Sequence, residues 1–154
     1  MTGSSLRAAA LGLAASLLLP LAAQAAGPAE DPAVTVFKSP TCGCCTAWGD
    51  HLRANGFTVI EKDTDDLMGI KTLAGVPNTL SSCHTASVDG YVIEGHVPAA
   101  DITRLLDERP EAAGLAVPGM PPASPGMDVP EYAGAPFKTL LFAGDGSTSV
   151  YAQH

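Results

Sequence analysis

Three cysteines within four residues, Cys42-Gly43-Cys44-Cys45, constrain this chain more than any other feature. They follow a short β-branched run at residues 34–37 that ends at Ser39-Pro40. They precede a helical stretch predicted from about residue 46 to residue 55, which Gly56 terminates. A strand-to-helix turn places cysteines where backbone N–H groups and the helix dipole favour thiolates. Residues 57–60 read as a second strand, and the spacing suits a β-α-β unit with a parallel, right-handed connection. Cys42 and Cys45 form a C-x-x-C pair, a pattern that in this setting points to disulfide exchange. Cys44 is the departure: a third sulfur can intercept a mixed disulfide, and it also completes a chelating loop. Adjacent cysteines such as Cys44 and Cys45 rarely pair, because the required dihedral strains the peptide between them. Cys83 is the fourth cysteine, and Cys42–Cys45 with Cys44–Cys83 is the preferred pairing among three connectivities. The plainer alternative, two inert staples, fits poorly because such close loops staple very little chain.

The N-terminus indicates where these thiols would work. Arg7 is the only charged side chain in residues 1–25, residues 8–23 are almost wholly apolar, and the stretch ends in Ala23-Gln24-Ala25. This is the layout of a secretory signal peptide, with cleavage expected after Ala25 or Ala26. Pro20 and the shortness of the apolar run argue against a retained membrane anchor. No cysteine follows the cleavage region and a single Arg is not a twin-arginine signal, so neither lipidation nor that export route is expected. Residues 26–32 read as a Pro/Ala tether and residues 33–154 as one domain. The expected location is a bacterial periplasm, where disulfides are permitted. A formal net charge of −8 excludes an electrostatic grip on nucleic acid or anionic lipid as the main activity.

The remaining elements follow from turn and helix signals. Residues 63–66 are an acidic loop or helix start, residues 67–73 a helix closing at Gly75, and residues 78–84, after Val76-Pro77, a strand-like segment. Asp89-Gly90 signals a hairpin into a strand at residues 91–93. Pro98 suits a first helical position, Ile102, Leu105 and Leu106 supply an apolar stripe, and Pro110 stops that helix. The order β-α-β-α-β-β-α predicts an α/β fold: a thioredoxin-like central sheet with flanking helices. Residues 114–130 are a Gly/Pro-rich loop expected to form neither a regular helix nor a central strand. Within it Pro118-Gly119-Met120 recurs as Pro125-Gly126-Met127. Residues 138–142, the Gly144-Asp145-Gly146 turn and residues 149–151 form a predicted C-terminal hairpin.

In a thioredoxin-like fold the Val-Pro step faces the C-x-x-C loop, so the strand after it brings Cys83 toward the cluster. Four converging sulfurs suit a soft metal, Cu(I) first and Zn(II) second, and thiolates can bridge several Cu(I) ions. Strand alternation sets Cys83 and His84 on opposite faces unless the strand ends or bulges there. His84 is therefore an accessory ligand only in that case. His51 lies roughly 10 Å along the helix from Cys44 and is read as solvent-facing or packed on Trp48. His96 is either a helix cap or a metal ligand, and His154 is expected to be exposed. Met120 and Met127 offer thioether sulfur as accessory ligands, whereas Met68 is read as core. Asp50, Asp63, Asp65 and Asp66 lack calcium spacing, and no Ser-His-Asp or phosphate-cradling signature occurs.

Ser39-Pro40-Thr41-Cys42-Gly43-Cys44-Cys45, Gly75-Val76-Pro77, Ser82-Cys83-His84-Thr85, Gly90-Tyr91, Glu94-Gly95-His96-Val97-Pro98 and the twin Pro-Gly-Met motifs together resemble the CopG-type periplasmic copper proteins. That family was long catalogued as a domain of unknown function and is unrelated to the DNA-binding repressors sharing its name. The match covers nearly all of residues 33–154. The resemblance implies a thioredoxin-like fold and copper binding by Cys42, Cys44, Cys45 and Cys83. It also implies a role in copper resistance, with a multinuclear Cu(I)–thiolate cluster and copper redox chemistry. Two functional classes follow. One is a copper-binding redox protein that hands copper to export components or electrons to a redox partner. The other is a thiol–disulfide oxidoreductase with Cys42 as nucleophile and Cys45 as resolving thiol. Passive copper storage or delivery is a third reading, and whether copper is turned over is open at this level.

Overall fold

The computed structural model describes residues 33–154, so the expected leader at 1–25 and tether at 26–32 lie outside the described residues. One seven-stranded sheet runs in the order β2-β1-β3-β4-β5-β6-β7. Strand β1 (Ala33–Lys38) alternates so that Val34 and Val36 point into the core. It pairs in parallel with β2 (Thr58–Asp63) and antiparallel with β3 (His84–Val88). Helix α1 (Gly43–Ala54) makes the expected crossover between β1 and β2, burying Cys45, Trp48, Gly49 and Leu52 along one stripe. The Trp48 indole N–H donates to the Val97 carbonyl at 2.8 Å, so the large ring is buried with its polar atom satisfied.

Helix α2 (Leu67–Leu73) has the expected bounds and is capped by Asp66, whose carboxylate accepts the Gly69 N–H. Strands β3 and β4 (Tyr91–Glu94) form the hairpin announced by Asp89-Gly90, both residues having positive φ as a tight primed turn requires. Helix α3 (Ala99–Glu108) buries Ile102 and Leu105 and ends at Arg109 in the left-handed conformation, just before Pro110. Strands β6 (Lys138–Phe142) and β7 (Thr148–Gln153) form the C-terminal hairpin and extend the sheet. The result is the thioredoxin-like sheet with flanking helices that the element order predicts.

Four local expectations are corrected. Helix α1 begins at Gly43, so Cys44 and Cys45 lie inside its first turn with Cys42 as N-cap. Of residues 78–84 only His84 lies in a strand: Asn78–Leu80 form a 3₁₀ turn, Ser82 makes an isolated parallel bridge to Gly119, and β3 starts only at His84. Pro98 is the N-cap of α3 and not its first helical residue. Met68, read as core, is 57% exposed.

The largest departure is β5 (Gly114–Ala116), a fully buried interior strand within the stretch expected to form none. Proline-richness misleads there because the prolines begin only at Pro118, after an unbroken Leu115-Ala116-Val117 run. Gly114 is required for a steric reason: a Cβ at that position would lie 1.8 Å from the Val92 carbonyl oxygen of β4. Gly114→Ala is therefore expected to destabilise the reduced protein by about 3 kcal/mol through forced separation of β4 and β5. Chemical denaturation monitored by Trp48 fluorescence measures this directly.

Candidate metal centre

The N-terminal turn of α1 and the corner leading into β3 meet at the cysteines. Cys42, Cys44, Cys45 and Cys83 bring their four sulfurs within 4.8 Å of one another. Cys42 and Cys45 are joined by a disulfide, while Cys44 and Cys83 are free. Cys44 Sγ lies 3.6 Å from Cys42 Sγ and 3.9 Å from Cys83 Sγ. Of the expected pairing, Cys42–Cys45 is formed and Cys44/Cys83 are neighbouring thiols.

A second donor set shares Cys83. His96 Nε2 lies 3.0 Å from Cys83 Sγ and His84 Nδ1 lies 3.4 Å from the same sulfur. The donor atoms of Cys83, His84 and His96 all fall within 4.8 Å. Alternation does not separate Cys83 from His84, because Cys83 precedes the first residue of β3. This is the strand-end condition under which both side chains reach one place.

The histidine environments fix their chemistry. His96 Nδ1 is 2.8 Å from the Pro125 carbonyl, which only accepts, so Nδ1 carries the proton and the Nε2 lone pair faces Cys83. Burial pushes the His96 pKa down, partly opposed by that carbonyl and by Asp128. Burial also pushes His84 well below the usual histidine range, with His96 and Lys71 adding in the same direction. Both rings are therefore neutral at neutral pH, the form that ligates metals. His84 packs on Trp48 with ring centroids 4.4 Å apart, and its Nε2 is buried without a hydrogen-bond partner. Burial first, and then the Cys44 charge, pushes the Cys83 thiol up to about 12. A metal arriving there must displace the Cys83 proton.

The other candidates fall outside this sulfur–imidazole contact set. His51 is half-buried and accepts the Ala99 N–H through Nε2 at 3.1 Å, which makes it a cap joining α1 to α3. His154 is exposed, as expected, and its ring also contacts Asp101 at 2.9 Å. The twin Pro-Gly-Met turns bracket the centre by their backbones. Gly119 bridges Ser82, placing Met120, which is 54% exposed, beside the Cys83 segment. Gly126 (φ +84°) presses on α1, where a Cβ would lie 2.6 Å from Trp48 N and 2.8 Å from the Cys44 carbonyl oxygen. Met127, the next residue, is half-buried.

Sequence reasoning gave no individual role to Lys71, Glu94 or Pro125. A lysine on a largely apolar seven-residue helix and a glutamate at the end of a buried hairpin were the available signals for the first two. The Pro125 contact is made by a backbone carbonyl, which side-chain chemistry does not announce.

Fold and site together define a thioredoxin-like protein with a cysteine–histidine corner whose donor atoms could hold a metal ion. A protein-family model described as "Protein of unknown function, DUF411" matches residues 80–127. The chain is 42% identical to a solved structure described as "Copper resistance protein copG- Form 2", covering 81% of this chain and 99% of that one with a TM-score of 0.77. For "Copper resistance protein copG- Form 1" the identity is 42%, the coverage 81% and 98%, and the TM-score 0.76. No curated protein matches the chain. The chain belongs to the CopG-type family.

The unequal thiols give a direct check. With the Cys42–Cys45 disulfide closed, iodoacetamide near pH 8 is expected to modify Cys44 well ahead of Cys83. Cys83 gains reactivity steadily as pH rises, because its raised value keeps it mostly a thiol near pH 8. Peptide mass mapping across pH reads both rates.

Proposed function

We propose that this chain is an exported copper-binding protein that collects Cu(I) on Cys42, Cys44, Cys45 and Cys83 as part of copper resistance. The observation that carries the proposal is the convergence of four sulfurs within 4.8 Å at one corner. Thiolates prefer soft Cu(I), and four bridging thiolates support a polynuclear cluster. His96 and His84 supply neutral imidazole donors at the edge of that cluster, and Met120 and Met127 supply thioether sulfur for copper entering or leaving. The similar solved structures, described as copper resistance proteins, agree with this reading.

Copper loading is coupled to thiol redox state in this scheme. The Cys42–Cys45 disulfide must take up two electrons and two protons before all four sulfurs are free to bind. A periplasmic dithiol redox partner supplies those electrons and protons and is itself oxidised to a disulfide. Copper then passes to export components. The organisation that goes with this function is a leader at 1–25, a tether at 26–32 and one copper-binding domain at 33–154. Cleavage of the leader releases the domain into the periplasm. Among the described residues, no helix is long and apolar enough to cross a membrane.

A second reading has its own support. The closed Cys42–Cys45 disulfide, with Cys42 half-buried and Cys45 fully buried, has the asymmetry of a nucleophile and its resolving thiol. A thiol–disulfide oxidoreductase would use that pair alone and leave Cys83 idle.

Anaerobic Cu(I) titration of the reduced protein, with copper and free thiols counted on the same sample, separates the two. The parent is expected to bind Cu(I) tightly, and Cys83→Ser to lose tight binding while retaining Cys42/Cys45 exchange with a small disulfide. Unchanged copper stoichiometry and affinity in Cys83→Ser would contradict the four-sulfur site.

A further inference from the structure

Lys71 and Glu94 form an ion pair with side chains only 4% and 0% exposed, directly behind the metal corner. Glu94 Oε1 accepts from Lys71 Nζ at 2.5 Å and from the Ser82 backbone N–H at 2.6 Å. Glu94 Oε2 accepts the Thr85 hydroxyl at 2.7 Å, and Lys71 Nζ also donates to that hydroxyl oxygen at 3.0 Å. One carboxylate therefore ties down residues 82 and 85, the two positions that flank Cys83 and His84. From the same end of β4 the chain continues through Gly95, whose N–H donates to the His84 carbonyl at 3.1 Å, to His96.

Stability alone is a poor reason for this arrangement. A buried ion pair gains little over an apolar pair of similar volume, because both charges must be desolvated. Helix α2 is moreover turned so that its lysine faces inward while Met68 and Leu73 are 57% and 88% exposed. A helix placed only to bury apolar surface would do the reverse.

We propose that the Lys71–Glu94 pair, acting through Ser82 and Thr85, is the positioning device that holds Cys83 against its partner sulfurs and His96. Lys71 and Glu94 are positioning residues and not ligands, and the proposal rests on reading the corner as a copper site. The ammonium and carboxylate fix the corner ahead of β3, so that Cys83 leaves the strand alternation and its thiol does not turn away between binding events.

The test uses the full chain carrying Lys71→Met together with Glu94→Leu. It is titrated with Cu(I) against a chromophoric Cu(I) chelator, alongside thermal unfolding and alkylation of Cys83 in the reduced, metal-free protein. The expected result is a folded protein, its unfolding midpoint lowered at most by the loss of the acceptor for the Ser82 N–H and the Thr85 hydroxyl. Its Cu(I) affinity falls roughly 10- to 100-fold, the usual effect of removing a residue that orients a ligand, and Cys83 is alkylated faster. Parental Cu(I) affinity or parental Cys83 reactivity in the folded double variant overturns the proposal. Should the double variant fail to fold, Thr85→Val, which removes one hydroxyl, carries the same two measurements. Weaker Cu(I) binding with faster Cys83 alkylation supports the positioning role there, and an unchanged value of either overturns it. A parent that takes up no Cu(I) contradicts the copper reading instead, while Cys83 alkylation still reports on the clamp.

Discussion

The start of β3 at His84 governs the site, because a residue inside a strand is bound to the alternation of faces and a residue before it is not. Ser82 is bridged to Gly119 and hydrogen-bonded to Glu94, and only then does the regular ladder with β1 and β4 begin. In that gap Cys83 turns its sulfur toward Cys44, His84 and His96 together. Had the strand begun two residues earlier, Cys83 and His84 would face opposite sides of the sheet. The donor cluster would then lose one of its shared members.

The surroundings bury the two histidines and keep their rings uncharged. Trp48, buried and hydrogen-bonded to Val97, forms one wall against His84. Pro125, on the Gly/Pro-rich loop, fixes the His96 tautomer from the other side. Burial keeps both imidazoles neutral and holds the Cys83 thiol protonated. The free donors are thus in forms that exchange a proton, at most, for a soft cation. The Cys42–Cys45 disulfide holds two further donors in reserve until two electrons arrive. In the proposed function, metal capacity and redox state are therefore properties of the same four sulfurs.

Much of this was legible in the sequence because it depended on local chemistry. The β-α-β crossover around the cysteines, the Asp89-Gly90 hairpin, the bounds of α2 and the C-terminal hairpin follow from periodicity and turn residues. The convergence of Cys83 with the N-terminal cluster followed from topology. What was not legible depended on tertiary contacts. Strand β5 hides in a Gly-rich stretch because Gly114 serves a close approach to Val92 instead of a turn. His51 is fixed by the Ala99 N–H, 48 residues away in sequence, and so takes up a capping role that helix spacing does not reveal. Lys71 is buried against a glutamate on another element, an inversion of the apolar pattern that no single-helix reading anticipates.

The central claim is that one corner of this fold holds Cu(I) on sulfur, with imidazole at its edge. X-ray absorption at the copper edge of the reduced, Cu(I)-loaded protein tests it most directly. The account predicts a Cu(I) edge, a first shell dominated by sulfur with a minor imidazole contribution, and loss of all four free thiols on loading. A first shell of oxygen and nitrogen alone, with the four thiols still titratable beside bound copper, would contradict it.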